Sequence, residues 1–159
     1  MNTLYCTLKK CDNFIQLPLT LDLKNKSVGL VDINGYYWPR IPGNKTLYLC
    51  CDIVKNNGII SRISDSNVYP ILRQLVFKSA KSQRHPGNLV DDDDEQVNYM
   101  YDRIKETYNK ILFLPCHEQK VDTLRLYLID ENGNLPSFHT CELNCTLLIY
   151  HGNSRTISK

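Results

Sequence analysis

The sequence lacks the features of a membrane or secreted protein. No apolar run approaches the ~20 residues that a helix needs to cross a bilayer, and Met1 to Lys10 contains no hydrophobic segment of a signal peptide. The net charge is only +2, so the strong basic excess of a dedicated nucleic-acid-binding domain is also missing. We therefore expect an intracellular protein without a membrane partner, which contacts nucleic acid at most weakly through the basic tail after Tyr150.

The common short motifs of enzymes are missing as well. The chain has no Gly-rich phosphate loop, no dinucleotide-binding turn, no nucleophile elbow and no paired-histidine metal motif. The sequence therefore predicts no catalytic residue, no cofactor and no bound metal. We expect a protein that is not an enzyme.

Cysteine is abundant, but its number and spacing favour free thiols. Seven cysteines is an odd number, and in an intracellular protein thiols stay reduced, so we expect no structural disulfide. Cys141 and Cys145, with His139 and His151 nearby, are the strongest zinc candidates. On one continuous strand the two cysteines would lie ~13 Å apart, whereas two thiolates on one zinc lie only ~4 Å apart. Free thiols are the favoured interpretation.

Two further groups of residues have a chemical and a structural interpretation. Cys116 and His117 are adjacent, and adjacent side chains of an extended backbone point apart, which disfavours a thiol nucleophile paired with its base. The acidic run from Asp91 to Glu95 lacks the spaced ligands and the glycine of a calcium loop. Carboxylates there instead favour the start of a following helix.

The sequence does contain the pattern of a β protein. Its 159 residues fit a single domain, 1–159. Apolar and polar residues alternate in segments that begin at Thr46, Thr123 and Asn144, which is typical of half-buried strands. Weaker strand candidates are Thr3–Lys9, Phe14–Leu17, Ser27–Ile33, Val68–Phe77 and Lys110–Phe113. Their shared phase predicts five residues buried between two sheets: Leu124, Leu126, Leu128, Leu147 and Ile149.

One segment departs from this alternation. Helical spacings of four and three residues relate five apolar side chains: Val97, Tyr101, Ile104, Tyr108 and Ile111. The pattern predicts a helix over residues 95–109, preceded by an exposed loop at 78–94, and we expect 151–159 to be a flexible tail. The predicted fold is mainly β: an antiparallel β-sandwich, specifically a single jelly roll, with one inserted helix around residues 95–109.

Several segments between Phe14 and Tyr150 together resemble a known family. They are Phe14–Trp38, Leu47–Val54 (LYLCCDIV), Pro70–Arg73 (PILR), Phe113–Pro115 (FLP), Val121–Leu124 (VDTL), Ile129–Gly133 (IDENG), Leu135–Phe138 (LPSF) and Leu147–Tyr150 (LLIY). This set resembles the C-terminal half of the penton-like minor capsid proteins of Polinton (Maverick) elements and adintoviruses. The chain is much shorter than most such proteins.

The resemblance implies a single jelly roll that acts by assembly and has no active site. The expected function is that of a virion structural protein, a minor capsid subunit that associates with itself, most simply as a pentamer, and with a major capsid protein. It would reside in the virion, and in the host cytoplasm or nucleus during assembly. The alternatives are a cement-type capsid protein, or an intracellular adaptor that binds a partner through the acidic helix region.

The protein-interface candidates are three consecutive aromatic residues: Tyr36, Tyr37 and Trp38. They follow Asn34-Gly35, a dipeptide that favours a tight turn, and precede a Pro-rich segment predicted to be a loop. Alternate residues of a strand point to opposite sides, so all three cannot face one core. We therefore expect some of them to contact a partner.

Overall fold

The computed structural model describes residues 1–39, 46–56, 58–59, 68–82, 99–152 and 156–158. These ranges contain strands but no helix, and hence no helix long and apolar enough to span a membrane. The strands are β1 (Asn2–Leu8), β2 (Asp12–Asp22), β3 (Lys26–Pro39), β4 (Thr46–Cys51), β5 (Gly58–Ile59), β6 (Val68–Tyr69), β7 (Ile71–Val76), β8 (Lys78–Ser82), β9 (Tyr99–Thr107), β10 (Lys110–Leu112), β11 (Leu114–Pro115), β12 (Lys120–Ile129), β13 (Phe138–His151) and β14 (Thr156–Ser158).

Two antiparallel sheets pack into a sandwich. The first sheet has the order β1-β13-β3-β9-β8, and β11 also pairs with β3. The second sheet has the order β2-β12-β4-β7. Two short ladders, β10-β14 and β5-β6, and a single antiparallel bridge between Val54 and Cys116 complete the described pairings. The prediction of a mainly β, antiparallel sandwich is therefore confirmed.

The pairing is nested along the chain. β1 pairs with β13, β2 with β12, β3 with β9 and β4 with β7, and every one of these pairs is antiparallel. The pairs β1-β13 and β3-β9 belong to the first sheet, and the pairs β2-β12 and β4-β7 belong to the second sheet. Two further pairings, β13 with β3 and β12 with β4, join the nested pairs within each sheet.

The core lies between the sheets, where the period-two pattern predicts it. Leu124, Leu126, Leu128 and Leu147 are fully buried, and Ile149 is 2% exposed. They alternate with more exposed residues along β12 and β13, because successive side chains of a strand point to opposite faces. These central strands have partners on both sides, which explains why their alternation is so regular.

The helix predicted over residues 95–109 is wrong for the part that the structure describes. Tyr99–Thr107 form β9, which pairs with β3 on one side and β8 on the other. Ile104 faces the sandwich core, whereas Ile111 lies in a separate cluster, so the supposed helical face is divided between two places. Pairing to two neighbouring strands overrides the local helical spacing. Residues 95–98 lie outside the described residues.

Three other predictions made from short segments of sequence differ from the structure. The predicted loop 78–94 begins with β8, and its residues 83–94 lie outside the described ranges. The tail 151–159 contributes His151 to β13 and Thr156–Ser158 to β14, which pairs with β10. Asn34-Gly35 lies inside β3 and makes no turn there. A side chain at Gly35 would place its Cβ 2.0 Å from the carbonyl oxygen of Glu142 on β13, which accounts for the glycine.

The connection between β12 and β13 turns at Asn132-Gly133, as this dipeptide predicts. Gly133 has a φ of 78°, which glycine adopts without strain. Its amide donates a hydrogen bond to the carbonyl oxygen of Asp130, and the Asp130 carboxylate accepts bonds from the amides of Asn132 and Asn134. All of these hydrogen bonds join residues within 130–134. Five consecutive residues therefore determine the turn, which is why the sequence could predict it.

Candidate functional site

The three predicted interface aromatics do not form one surface. Tyr37 is 1% exposed and lies in the core, where its ring packs 5.7 Å from Phe77 and 5.5 Å from Phe138, centroid to centroid. Its hydroxyl donates a hydrogen bond to the carbonyl oxygen of Ser137. Tyr36 and Trp38 are half-buried on the opposite face of β3. Tyr37 is therefore unavailable to a partner in the folded protein.

Cys116 and His117 lie on opposite sides of the backbone. Cys116 is 3% exposed and packs in the core, whereas His117 is exposed. Burial raises the pKa of the Cys116 thiol to about 11. A thiol with so high a pKa is protonated at neutral pH and is a weak nucleophile.

Cys141 and Cys145 lie on one continuous strand, β13, and both face the core. Burial raises the pKa of Cys141 to about 12. Among the described residues, no three His, Cys, Asp or Glu side chains are grouped so that they could hold a metal ion. The side chain of His139 and the acidic run 91–95 lie outside what the structure describes.

The second sheet presents an arginine and two aromatic rings on its outer face, which the sequence alone did not single out. The guanidinium of Arg125 donates two hydrogen bonds to the carboxylate of Asp12, each 2.7 Å long. It also lies 4.6 Å from the ring centroid of Tyr127 and 5.6 Å from that of Phe14. We call Asp12, Phe14, Arg125 and Tyr127 the arginine–aromatic cluster.

The register of two strands assembles this cluster. On β12 and β2, Arg125 is the partner of Phe14, and Tyr127 is the partner of Asp12. Arg125 and Tyr127 belong to the more polar phase of β12, so the sequence places both on the solvent side. Nothing local identifies the residues of β2 that meet them, since these are more than a hundred positions away.

The charges of the cluster favour one fixed arrangement. The hydrogen bonds from Arg125 lower the pKa of Asp12, and the same bonds raise the pKa of Arg125. Asp52 on the neighbouring segment accepts a 2.9 Å bond from the backbone amide of Arg125, while burial raises the pKa of that carboxyl. Bidentate bonding between arginine and a carboxylate holds the planar guanidinium in one orientation.

Apolar side chains continue from the cluster across the outer face of the second sheet. Cys50 and Ile129 are buried there, and they pack with half-buried neighbours: Tyr48, Tyr69, Ile71 and Tyr127. Burial raises the pKa of Cys50 to about 12 and that of Tyr127 to about 12. Phe14, at the margin of this face, is 70% exposed.

A groove follows the opposite edge of the same sheet. Its volume is about 540 Å³, and it is lined by Ile71, Leu72, Arg73, Gln74, Val76, Leu112 and Leu114. The guanidinium of Arg73 lies 4.2 Å from the ring centroid of Tyr108, which supports one end of the groove. Val76 is 63% exposed and Leu112 is 47% exposed, so the groove presents apolar surface to solvent.

Comparison of the chain with protein-family models, curated proteins and solved structures finds no match. The structure thus shows a two-sheet antiparallel sandwich, with an arginine–aromatic cluster at one edge of the second sheet and an apolar groove at the other. The described residues at these two places offer the surface of aromatic rings, a guanidinium held by a carboxylate, and an open groove with apolar side chains in its lining.

Proposed function

We propose that the protein is a penton-like minor capsid subunit with a single jelly-roll fold. It works by assembling with itself and with a major capsid protein. The observation that carries the proposal is the nested strand pairing, in which four antiparallel pairs alternate between the two sheets. A long antiparallel hairpin that wraps into two facing sheets gives such an order, and this supports a jelly roll, an architecture of viral capsid domains and also of lectin domains and cupins.

The arginine–aromatic cluster supports a contact role for the second sheet. Arginine and aromatic side chains are enriched among the residues that dominate binding energy at interfaces. Binding usually costs free energy because long side chains must be ordered. Here Asp12 already holds the guanidinium of Arg125 in place, so less of that cost remains to be met when a partner covers Phe14.

The two edges of the second sheet also suit a ring. β2, which carries Phe14, and β7, which lines the groove, are the opposite edges of one sheet. A contact that joins one edge to the other edge of a neighbouring copy is heterologous, and such a contact closes into a ring when the rotation between copies permits it. A stable joint of this kind buries at least ~1,000 Å².

The oligomeric state of the purified chain tests the proposal. Light scattering and native mass spectrometry should detect a ring, most simply a pentamer, or a complex after co-expression with the major capsid protein of the same genome. Self-association of the chain without such a complex would favour the penton-like role. A complex with the major capsid protein without self-association would favour the role of a cement protein. A chain that remains monomeric at high concentration and does not bind that capsid protein would contradict the proposal.

A pair of matched variants tests the surface. Phe14→Ser should weaken the assembly at least ~10-fold, as expected for an aromatic anchor at an interface. Tyr5→Ser is the control, because Tyr5 is 82% exposed on β1 of the first sheet and is not part of the cluster. Equal effects of the two substitutions would show that the cluster is not the contact, even if the protein assembles.

A further inference from the structure

The N-terminal strand carries a cysteine directly opposite a second cysteine. β1 is the edge strand of the first sheet and pairs with β13. In that register Cys6 is the partner of Cys145. Both side chains face the core, with exposures of 4% and 3%, and their thiols hydrogen-bond to one another. Both are free cysteines in the structure.

We propose that Cys6 and Cys145 form an oxidative modification site, at which hydrogen peroxide converts the two thiols to a cross-strand disulfide. Directly opposite residues of an antiparallel pair have Cβ atoms ~4.5–5.5 Å apart. Disulfides join residues whose Cβ atoms are ~3.5–4.5 Å apart and whose Cα atoms are ~4.4–6.8 Å apart. The sheet therefore brings the pair close to bonding distance, and only a small approach of the two strands is needed.

The chemistry balances with one equivalent of peroxide. The Cys6 thiolate attacks a peroxide oxygen and the O–O bond breaks, which gives a sulfenic acid on Cys6 and, after proton uptake, one water. The sulfur of Cys145 then attacks the sulfur of Cys6, the S–S bond forms, and the sulfenic oxygen leaves as a second water. The two thiols lose two electrons and two protons in total, and the peroxide is reduced.

The position of Cys6 in the sheet explains why this pair is favoured. Within the described residues β1 has a neighbour on one side only, and strands with a single partner open more readily than central ones. Such opening exposes Cys6 to a small oxidant. In the paired state the hydrogen bond between the two thiols lowers the pKa of Cys6 and raises that of Cys145, whereas burial raises the pKa of Cys11, Cys50, Cys51, Cys116 and Cys141.

A competing thiol in the same core is Cys51. It lies on β4 of the second sheet, in the core with both members of the pair, and it is fully buried. β4 has partners on both sides, β12 and β7, so its thiol is not exposed by fraying of an edge. A disulfide between Cys51 and Cys6 would also have to join the two sheets, whereas Cys145 is already the direct partner of Cys6 in the ladder.

Peptide mapping of the unmodified protein tests the proposal. The chain, purified under reducing conditions, is treated with a small excess of hydrogen peroxide, the remaining thiols are alkylated, and the protein is digested without reductant. The expected result is a linked peptide pair containing Cys6 and Cys145, whose mass is lower by two hydrogen atoms and which separates after reduction. Hydrogen exchange of the amides of β1 should then slow at least ~10-fold, because the disulfide opposes fraying.

Two variants serve as controls. Cys145→Ala should abolish the linked peptide and the slower exchange of β1, whereas Cys50→Ala should retain both, since Cys50 lies on the outer face of the other sheet. A different predominant pair, or oxidation of single thiols to higher acids without a linked pair, would overturn the proposal. The map of the unmodified chain is decisive even if a variant folds poorly, and none of these results depends on capsid assembly.

Discussion

The outer faces of the two sheets differ in what covers them. On the first sheet, β10 lies against β3. A small buried cluster forms there from Val31, Ile111 and Phe113, and the half-buried Leu148 and Tyr150 pack against it. Gly29 permits this close approach, because a Cβ there would lie 2.4 Å from Cγ2 of Ile111. On the second sheet, the arginine–aromatic cluster leaves Phe14 70% exposed.

The difference indicates how the chain divides its surfaces. Around Val31, the outer face of the first sheet is closed by a segment of the same chain, which packs apolar side chains against it, whereas Tyr5 at the β1 edge is 82% exposed. The outer face of the second sheet presents a fixed cation and aromatic area, the composition typical of a surface that meets another molecule. The contrast favours the second sheet over the first as the place of assembly in the proposed function.

The largest expected effect concerns the core beneath both faces. Leu126→Ala removes a fully buried side chain from β12 and should lower the free energy of unfolding by ~2–5 kcal/mol. Leu19→Ala is a matched control: Leu19 is 80% exposed on β2, and its loss should change stability by less than ~0.5 kcal/mol. Urea titration measures both. Similar values for the two leucines would contradict the assignment of the core.

The next prediction tests the closed face. Gly29→Val should destabilise the protein by ~1–3 kcal/mol, because the new side chain would overlap Ile111 and meet the carbonyl oxygen of Leu112 at β10. Ile111→Ala should relieve part of that clash, so the double variant should lose less stability than the two single losses added together. Strict additivity in denaturant titrations would show that β10 does not pack there.

A smaller effect is expected for the ion pair on the open face. Arg125 lowers the pKa of Asp12 in the folded protein. The ion pair therefore stabilises the folded state fully at pH values above the ordinary carboxyl pKa. This contribution is lost as the pH falls through the lowered pKa of Asp12 in the folded state. The groups are 38% and 29% exposed, so Asp12→Asn should cost only ~0.2–1 kcal/mol at neutral pH.

Urea titrations of that variant at neutral and at acidic pH give the check. The difference from the unmodified chain should shrink as the pH falls below the ordinary carboxyl pKa of ~3.9, and it should disappear once the pH lies below the lowered pKa of the native Asp12 carboxyl. Asp122→Asn, at an exposed position of β12, the neighbouring strand that carries Arg125, is the control for the loss of a surface charge. A difference that grows as the pH falls would have the wrong sign for this ion pair.

The smallest effect on stability is expected at Phe14. Because this side chain is mostly exposed, Phe14→Ser should change the free energy of unfolding by no more than ~0.5 kcal/mol. Thermal denaturation of a dilute, dissociated sample measures the change without a contribution from assembly. A large loss of stability would mean that Phe14 is a structural residue, and the contrast between the two outer faces would then weaken.

β9 shows where a local pattern misled, and Tyr37 shows what a run of aromatic residues leaves open, since the interface roles of Tyr36 and Trp38 stay predictions. The aromatic run suggested an interface, but β3 turns Tyr37 inward against Phe77 and Phe138, both of which come from distant segments. The spacing of Ile104 and its apolar neighbours fits a helix as well as a strand over so short a length. Pairing with β3 decided for the strand, and no local feature of residues 99–107 encodes that pairing.

The sequence by itself determined the mainly β class, the strands with regular alternation, the core positions of β12 and β13, and the turn at Asn132-Gly133. Each of these depends on neighbours within a few residues: the two-residue period of a strand, and the backbone freedom of glycine. Tertiary structure alone decided that Cys6 meets Cys145, that Asp12 holds Arg125, and that residues 99–107 extend between two strands. These contacts join residues far apart in the chain, and only the register of the sheets, fixed by burying one face of every strand at once, brings them together.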